Sequence, residues 1–142
     1  MSHTCKALVI HCMDFRIQKD LNDFFTSLGL VGDFDRVSVA GAIRPLVHGT
    51  DAEKAYVMSQ IATSVRLHAT REAYLIAHTD CGAYGGRDAF ADAQAEHTTH
   101  VADLNTAKSA ILAAHPELTV KLIIARLTEA DGKLAIDFEQ VQ

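Results

Sequence analysis

Uninterrupted apolar runs alternate along this chain with stretches whose apolar residues recur at helical spacing. The run "KALVI" at 6–10 is short and rich in β-formers, which predicts a strand buried on both faces. Ile17, Leu21, Phe24, Phe25 and Leu28 then follow a helical period that Gly29 ends. "DRVSVAGA" at 35–42 predicts a second strand running into a glycine turn, and 51–69 a helix facing inward along Ala55, Met58, Ala62, Val65 and Ala69. "AYLIAH" at 73–78 predicts a third strand, followed by a glycine-rich loop. A long helix over 91–114 carries a stripe of Leu104, Ala107, Ile111 and Ala114, and Pro116 stops it. "TVKLIIARL" at 119–127 predicts a fourth strand, and the turn "ADGK" at 130–133 returns an antiparallel edge strand, "LAIDF". Strands alternating with helices in this way predict an α/β fold. The expectation is three layers, with a mostly parallel central sheet of four to five strands and helices on both faces. With no repeat, linker or low-complexity tract, residues 1–142 are expected to form a single domain.

Composition narrows the partners. The charged fraction is 22% and the formal net charge is −5, so nucleic acid and anionic membranes are disfavoured. No run approaches the roughly 18 apolar residues that would span a bilayer. The start of the chain lacks the apolar core and cleavage site of a signal peptide, and a cytoplasmic location is expected. Cysteines occur at 5, 12 and 81, an odd number. In a reducing compartment that pattern favours metal binding or catalysis over a disulfide framework.

Two of these cysteines sit where strands end. "LVIHCMDFRIQ" at 8–18 and "LIAHTDCGAYGG" at 75–86 both break from apolar residues into histidine, cysteine and aspartate. In an open α/β sheet the carboxyl ends of strands are where ligands bind. If the first and third strands are neighbours, Cys12 meets His78 and Cys81. Two thiolates and one imidazole suit one zinc ion per chain, and the thiolates neutralise its charge. The fourth position is then either open to water or closed by a carboxylate such as Asp14, as in a structural site. Asp14 and Arg16 follow Cys12 at steps of two, so an extended or turning segment projects them together. Arg16 would hold Asp14 ionised, and Asp14 would orient a zinc-bound hydroxide as a catalytic acceptor. These are the parts of a hydrating zinc lyase. A cysteine phosphatase is excluded by spacing, because its loop needs C-x5-R and Gln18 occupies the arginine position.

The remaining polar residues read more plainly. Cys5, at the start of the first strand, is structural or incidental. His11 points away from Cys12 as a packing residue or a support for the ligands. His97 and His100 lie on a solvated helix face. Asp80 supports a ligand or the loop backbone, and Gly82, Gly85 and Gly86 permit the turn after the ligands. Arg44 either reaches the pocket or lies on the surface.

The paired motifs Cys12-Met13-Asp14-Phe15-Arg16 and His78-Thr79-Asp80-Cys81-Gly82 resemble those of the β-class carbonic anhydrase family in type, order and spacing. The resemblance extends loosely over residues 7–126. It implies zinc on Cys12, His78 and Cys81, an Asp14–Arg16 catalytic dyad, hydration of carbon dioxide to bicarbonate, and a homodimer or higher homo-oligomer with the site near the interface. The chain departs from the family pattern in carrying Phe15 where a serine is usual. Relatives on this scaffold hydrolyse carbonyl sulfide or carbon disulfide, which stands as the alternative activity. A non-catalytic zinc-binding module is the alternative of a different class.

Overall fold

The computed structural model describes residues 3–142. A five-stranded sheet in the order β2-β1-β3-β4-β5 forms its centre. The strands are β1 (Ala7–Cys12), β2 (Phe34–Val39), β3 (Glu72–His78), β4 (Thr119–Ala130) and β5 (Lys133–Val141). The first four run parallel, and β5 returns antiparallel along β4. The helices are α1 (Gln18–Ser27), α2 (Arg44–His48), α3 (Asp51–His68) and α4 (Ala93–Ala114). The expected α/β architecture is present. No helix among the described residues is long and apolar enough to cross a membrane.

The two-residue period of the strands divides the core into two layers. Leu8 and Ile10 of β1 and Leu75 of β3 point to one face, where they meet Leu46 of α2, Val57 and Ile61 of α3, and Leu104 and Ile111 of α4. Val9, Tyr74 and Ile76 point to the other, where Ile17, Leu21, Phe25 and Leu30 cover them. All six residues of β1 are buried, as a central strand covered on both faces requires.

Local rules fix the helix ends. Thr50 caps α3 by accepting from Glu53 N at 3.2 Å, while the Glu53 carboxylate accepts from Thr50 N at 2.8 Å. Asp92 caps α4 by accepting from Ala95 N at 2.8 Å.

Several expectations need correction. The inward residues of α3 are Val57, Ile61 and Ser64, flanked by Met58 and Val65; Ala55, Ala62 and Ala69 face solvent. The larger branched side chains have more area to hide than the alanines. Ser64 is buried because its hydroxyl is bonded on both sides, to Asp35 and Thr70. Ala69 lies beyond the helix, as its left-handed cap. On α4, Ala114 is exposed, and Glu96, His100 and Asp103 join the buried face. His100 is thus in the interior, beside Tyr84 and Phe90, rather than on a solvated face. His97 is partly buried and faces Glu139 at 3.1 Å. The hairpin strands outrun the apolar pattern that predicted them, because their ends pair with each other in the open, without a core to shape their sequence.

Strand order sets the location of the site. From β1 the chain crosses to β2 on one side, then returns past β1 to place β3 on the other. The carboxyl ends of β1 and β3 therefore flank a switch point, where crossovers diverge and leave a crevice.

Candidate metal centre

Cys12 is the last residue of β1, one step earlier than its expected place beyond the strand. From there the chain does not stay extended. Asp14 caps a turn of 3-10 helix at Phe15–Ile17, accepting from Arg16 N at 2.9 Å. The same carboxylate receives the Arg16 side chain: Nη2 donates to Oδ2 at 2.7 Å, and Nε donates to both oxygens at 3.1 and 3.2 Å. The aspartate and arginine thus meet through a cap and a guanidinium folded back onto it, not through strand alternation. Gln18, which sequence reasoning used only to exclude a phosphatase, pins this turn by donating to the carbonyls of Cys12 (3.1 Å) and Asp14 (2.7 Å).

His78 ends β3. Its Nδ1 lies 2.8 Å from the Thr79 carbonyl, which can only accept, so Nδ1 carries the proton and Nε2 presents a lone pair. Thr79 is itself fixed by accepting from Leu127 N at 2.8 Å. Asp80 then takes a left-handed conformation at φ 55°, which turns the chain so that Cys81 faces back towards His78. In the loop that follows Cys81, Gly85 and Gly86 have positive φ and Gly82 does not, so Gly82 is not needed for the turn's conformation.

These two strand ends bring Cys12, His78 and Cys81 together. One donor atom from each lies within 4.8 Å of the others, and all three residues are buried. The two sulfurs are 4.0 Å apart. His78 Nε2 is buried with no hydrogen-bond partner, a costly arrangement for an imidazole nitrogen unless something binds there. Two thiols and a lone-pair nitrogen converging at this distance fit a metal ion. The Cys81 contact, then His78 and the Gly41 amide at 3.3 Å, pull the Cys12 thiol down, while the same contact and burial push Cys81 up.

Gly41 is placed for that amide contact at φ 79°, and a Cβ there would come within 2.9 Å of Arg44 Cβ and 3.0 Å of Ala83 Cβ. A Gly41→Ala variant is expected to lose about 1–2 kcal/mol from the left-handed backbone alone, read by denaturant unfolding. It is also expected to bind metal more weakly, since the loop carrying the amide must shift.

Asp14 stands beside the cluster without joining it. Its Oδ2 is 3.8 Å from His78 Nε2, beyond hydrogen-bond reach, and Arg16 holds it from the other side. Arg16 bonding and burial act in opposite senses on Asp14, and the first wins, so its carboxyl titrates below the usual range. Arg16 in turn donates to Asp80, through Nη1 to Oδ2 and Nη2 to the carbonyl, both at 2.9 Å. Asp80 therefore supports the arginine rather than a ligand, and its Oδ1 also accepts from the Arg87 amide at 2.9 Å, the support of the loop backbone expected of it. The only signal for it in the sequence was its place between His78 and Cys81. Its amide donates to the buried Glu96 at 2.6 Å, a partner that sequence reasoning missed sixteen residues downstream. Arg44 lies over the Tyr84 ring at 5.5 Å. His11 is fully buried near Phe25, with Nδ1 on the Cys12 carbonyl at 2.8 Å.

The cluster opens into a cleft of about 770 Å³ whose walls include Cys12, Met13, Asp14, Phe15, Arg16 and Ala40. Its apolar rim is unusually bare. Phe15 is 87% exposed and Met13 63% exposed.

A family model described as "Putative carbonic anhydrase" matches residues 2–128. The chain belongs to this family. The carbonic anhydrase match covers both strand ends and every residue of the cluster. Among individual proteins, the chain is 30% identical over 120 residues to an uncharacterised protein of Rickettsia conorii, covering 80% of this chain and 63% of that one. It is 29% identical over 137 residues to an uncharacterised protein of Rickettsia bellii, covering 94% of this chain and 82% of the relative. The chain thus spans less than two thirds of the first relative's length. A crystal structure of a β-carbonic anhydrase from Aspergillus fumigatus aligns with 95% of this chain and 76% of its own, at 19% identity and a TM-score of 0.47.

Proposed function

We propose that the chain is a zinc enzyme that hydrates carbon dioxide to bicarbonate, with Cys12, His78 and Cys81 as its metal ligands and Asp14 and Arg16 as its catalytic dyad. The observation that carries this reading is the pairing of a partnerless, buried His78 Nε2 with an ionised carboxylate held 3.8 Å away. A purely structural site gains nothing from such a carboxylate restrained by arginine. Zinc, when bound, acts as a Lewis acid that makes a water ligand nucleophilic near neutral pH. With zinc held by these ligands, Asp14 would accept a hydrogen bond from the reacting water and orient it. Arg16 keeps Asp14 ionised and turned away from the metal, and Asp80 and Gln18 hold that arrangement in place. Met13, Phe15 and Ala40 give the cleft an apolar wall suited to a small linear molecule without charge.

The whole unit is read as one domain carrying one such site, in a soluble cytoplasmic protein. The bare rim at Met13 and Phe15 supports a homodimer in which a second copy covers the mouth of the cleft. Sedimentation analysis is expected to show a dimer. A Phe15→Ser variant should unfold within about 0.5 kcal/mol of wild type under conditions where the chain is monomeric, because this ring buries almost nothing within its own chain. Turnover assays with carbon dioxide, carbonyl sulfide and carbon disulfide identify the substrate. Hydration of carbon dioxide is expected to dominate, and turnover of a sulfur analogue alone would overturn that choice.

A further inference from the structure

A second set of metal-type donors lies at the amino ends of the strands, across the sheet from the first. Cys5 precedes β1, Asp35 is near the start of β2, and His68 is the last residue of α3. One donor atom from each falls within 4.8 Å of the other two, and all three residues are half-buried. They are far apart in sequence and brought together by three different elements, which is why Cys5 reads as incidental when taken alone.

The cluster is oriented by groups behind it. Asp35 Oδ2 accepts from Ser64 Oγ at 2.6 Å and from His68 Nδ1 at 2.7 Å. The Thr70 hydroxyl lies 2.7 Å from Ser64 Oγ and 3.5 Å from Cys5 Sγ. Both hydroxyls are buried, Ser64 at 4% exposure and Thr70 at 0%. The backbone joins in, with Cys5 N donating to His68 O at 3.0 Å. A hydrogen bond from His68 to Asp35 accounts for two of the three groups. It leaves the thiol with weak sulfur contacts at 3.5 Å, to Ala7 O and Thr70, beside an imidazole and the Asp35 carboxylate that it helps to hold ionised.

We propose that Cys5, Asp35 and His68 form a second, structural site for a zinc-type divalent cation, which clasps the segment ahead of β1 to β2 and to the end of α3. The chemistry of the donors suits such an ion: sulfur, nitrogen and oxygen, with thiolate and carboxylate together balancing two positive charges. The site lies at the carboxyl end of α3, an eighteen-residue helix whose terminal carbonyls favour a cation. The ring of His3 stands edge-on to His68, 5.2 Å between centroids, so a small movement offers a fourth ligand. On binding, bonds form from the metal to Cys5 Sγ, an Asp35 oxygen and His68 Nδ1. The Cys5 S–H bond breaks and its proton passes to water, while the neutral imidazole carries its own proton on Nε2 instead. The outer contacts of Asp35 with Ser64 then orient the carboxylate ligand. The clasp is independent of the proposed catalytic role.

Zinc is titrated into the full chain under reducing conditions, and bound metal is counted after equilibrium dialysis. Wild type is expected to hold one zinc per chain more than Cys5→Ser, and likewise one more than Asp35→Asn. Since all three proteins keep Cys12, His78 and Cys81, filling of the first site cancels from the difference. Excess zinc is expected to raise the thermal midpoint of wild type relative to both variants. It is also expected to slow maleimide labelling of Cys5 by about tenfold or more, because a coordinated thiolate is not free to react. Equal zinc counts in wild type and both variants, or unchanged Cys5 labelling, would overturn the clasp.

Discussion

Cys81→Ser is expected to abolish carbon dioxide hydration, leaving the uncatalysed background, and to release the zinc bound beside Cys12. The loss follows from the donor set. With both thiolates the metal site is electrically balanced, whereas a serine hydroxyl is a poor ligand for zinc at neutral pH. His78 cannot compensate, because its Nδ1 is committed to the Thr79 carbonyl. The fold should survive. Cys81 is 2% exposed, and an unsatisfied hydroxyl there costs about 1–3 kcal/mol, a loss visible in unfolding but compatible with a native circular dichroism spectrum. Cys5→Ser serves as the control, since it removes a thiol across the sheet and should leave hydration intact.

Asp14→Asn is expected to separate metal binding from catalysis. It should retain zinc at the Cys12 site yet lose about 10²- to 10⁴-fold in kcat, the usual cost of removing a positioned proton acceptor. The substitution keeps the shape of the side chain and its cap on the Arg16 amide, but not the charge that Arg16 grips through three further bonds. The stability cost should be small, about 1 kcal/mol or less, because Arg16 is 31% exposed and solvent screens the pair. Its pH dependence has a definite sign. Asp14 titrates lower in the folded protein than in the unfolded chain, chiefly because of Arg16. The pair's contribution is therefore complete well above the unfolded value of about 3.9, and is lost as the pH falls through the lower folded value. Unfolding measured from neutral pH downwards should show wild type and Asp14→Asn converging in acid. A constant gap would mean that the pair does not stabilise the fold through its charge.

The sheet and the meeting of Cys12, His78 and Cys81 were both legible from the sequence, and for the same reason. Strands buried on both faces leave continuous apolar runs, so "ALVIH" and "YLIAH" declare their ends sharply, and chemistry placed at those ends stands out. The inward face of α3 was misread because its alanines fit either environment equally well. Its true face includes Ser64, which only a partner on β2 makes tolerable in the interior. His100 failed similarly: nothing near it in sequence reveals the aromatic rings of Tyr84 and Phe90 that enclose it. Among the groups around Asp14 and Arg16, the support that Asp80 gives the loop backbone was legible, whereas its hold on Arg16 and the role of Gln18 were not. Asp80 meets Arg16 through a tertiary contact that no spacing rule encodes, Gln18 reaches back locally to the carbonyls of Cys12 and Asp14, and Glu96 reaches Asp80 from α4. Cys5 read as structural or incidental, and its neighbours Asp35 and His68 were not legible beside it because they come from β2 and α3.

Stopped-flow hydration of carbon dioxide, run with zinc analysis on the wild-type chain and on Cys81→Ser, tests the central claim most directly. Turnover is predicted for wild type from about pH 6 to about pH 9, the range over which a zinc ligand water with a pKa near 7 ionises. Cys81→Ser is predicted to lose both that turnover and the zinc at the Cys12 site. Wild-type protein that carries zinc on Cys12, His78 and Cys81, yet hydrates carbon dioxide no faster than buffer anywhere in that range, would contradict the account.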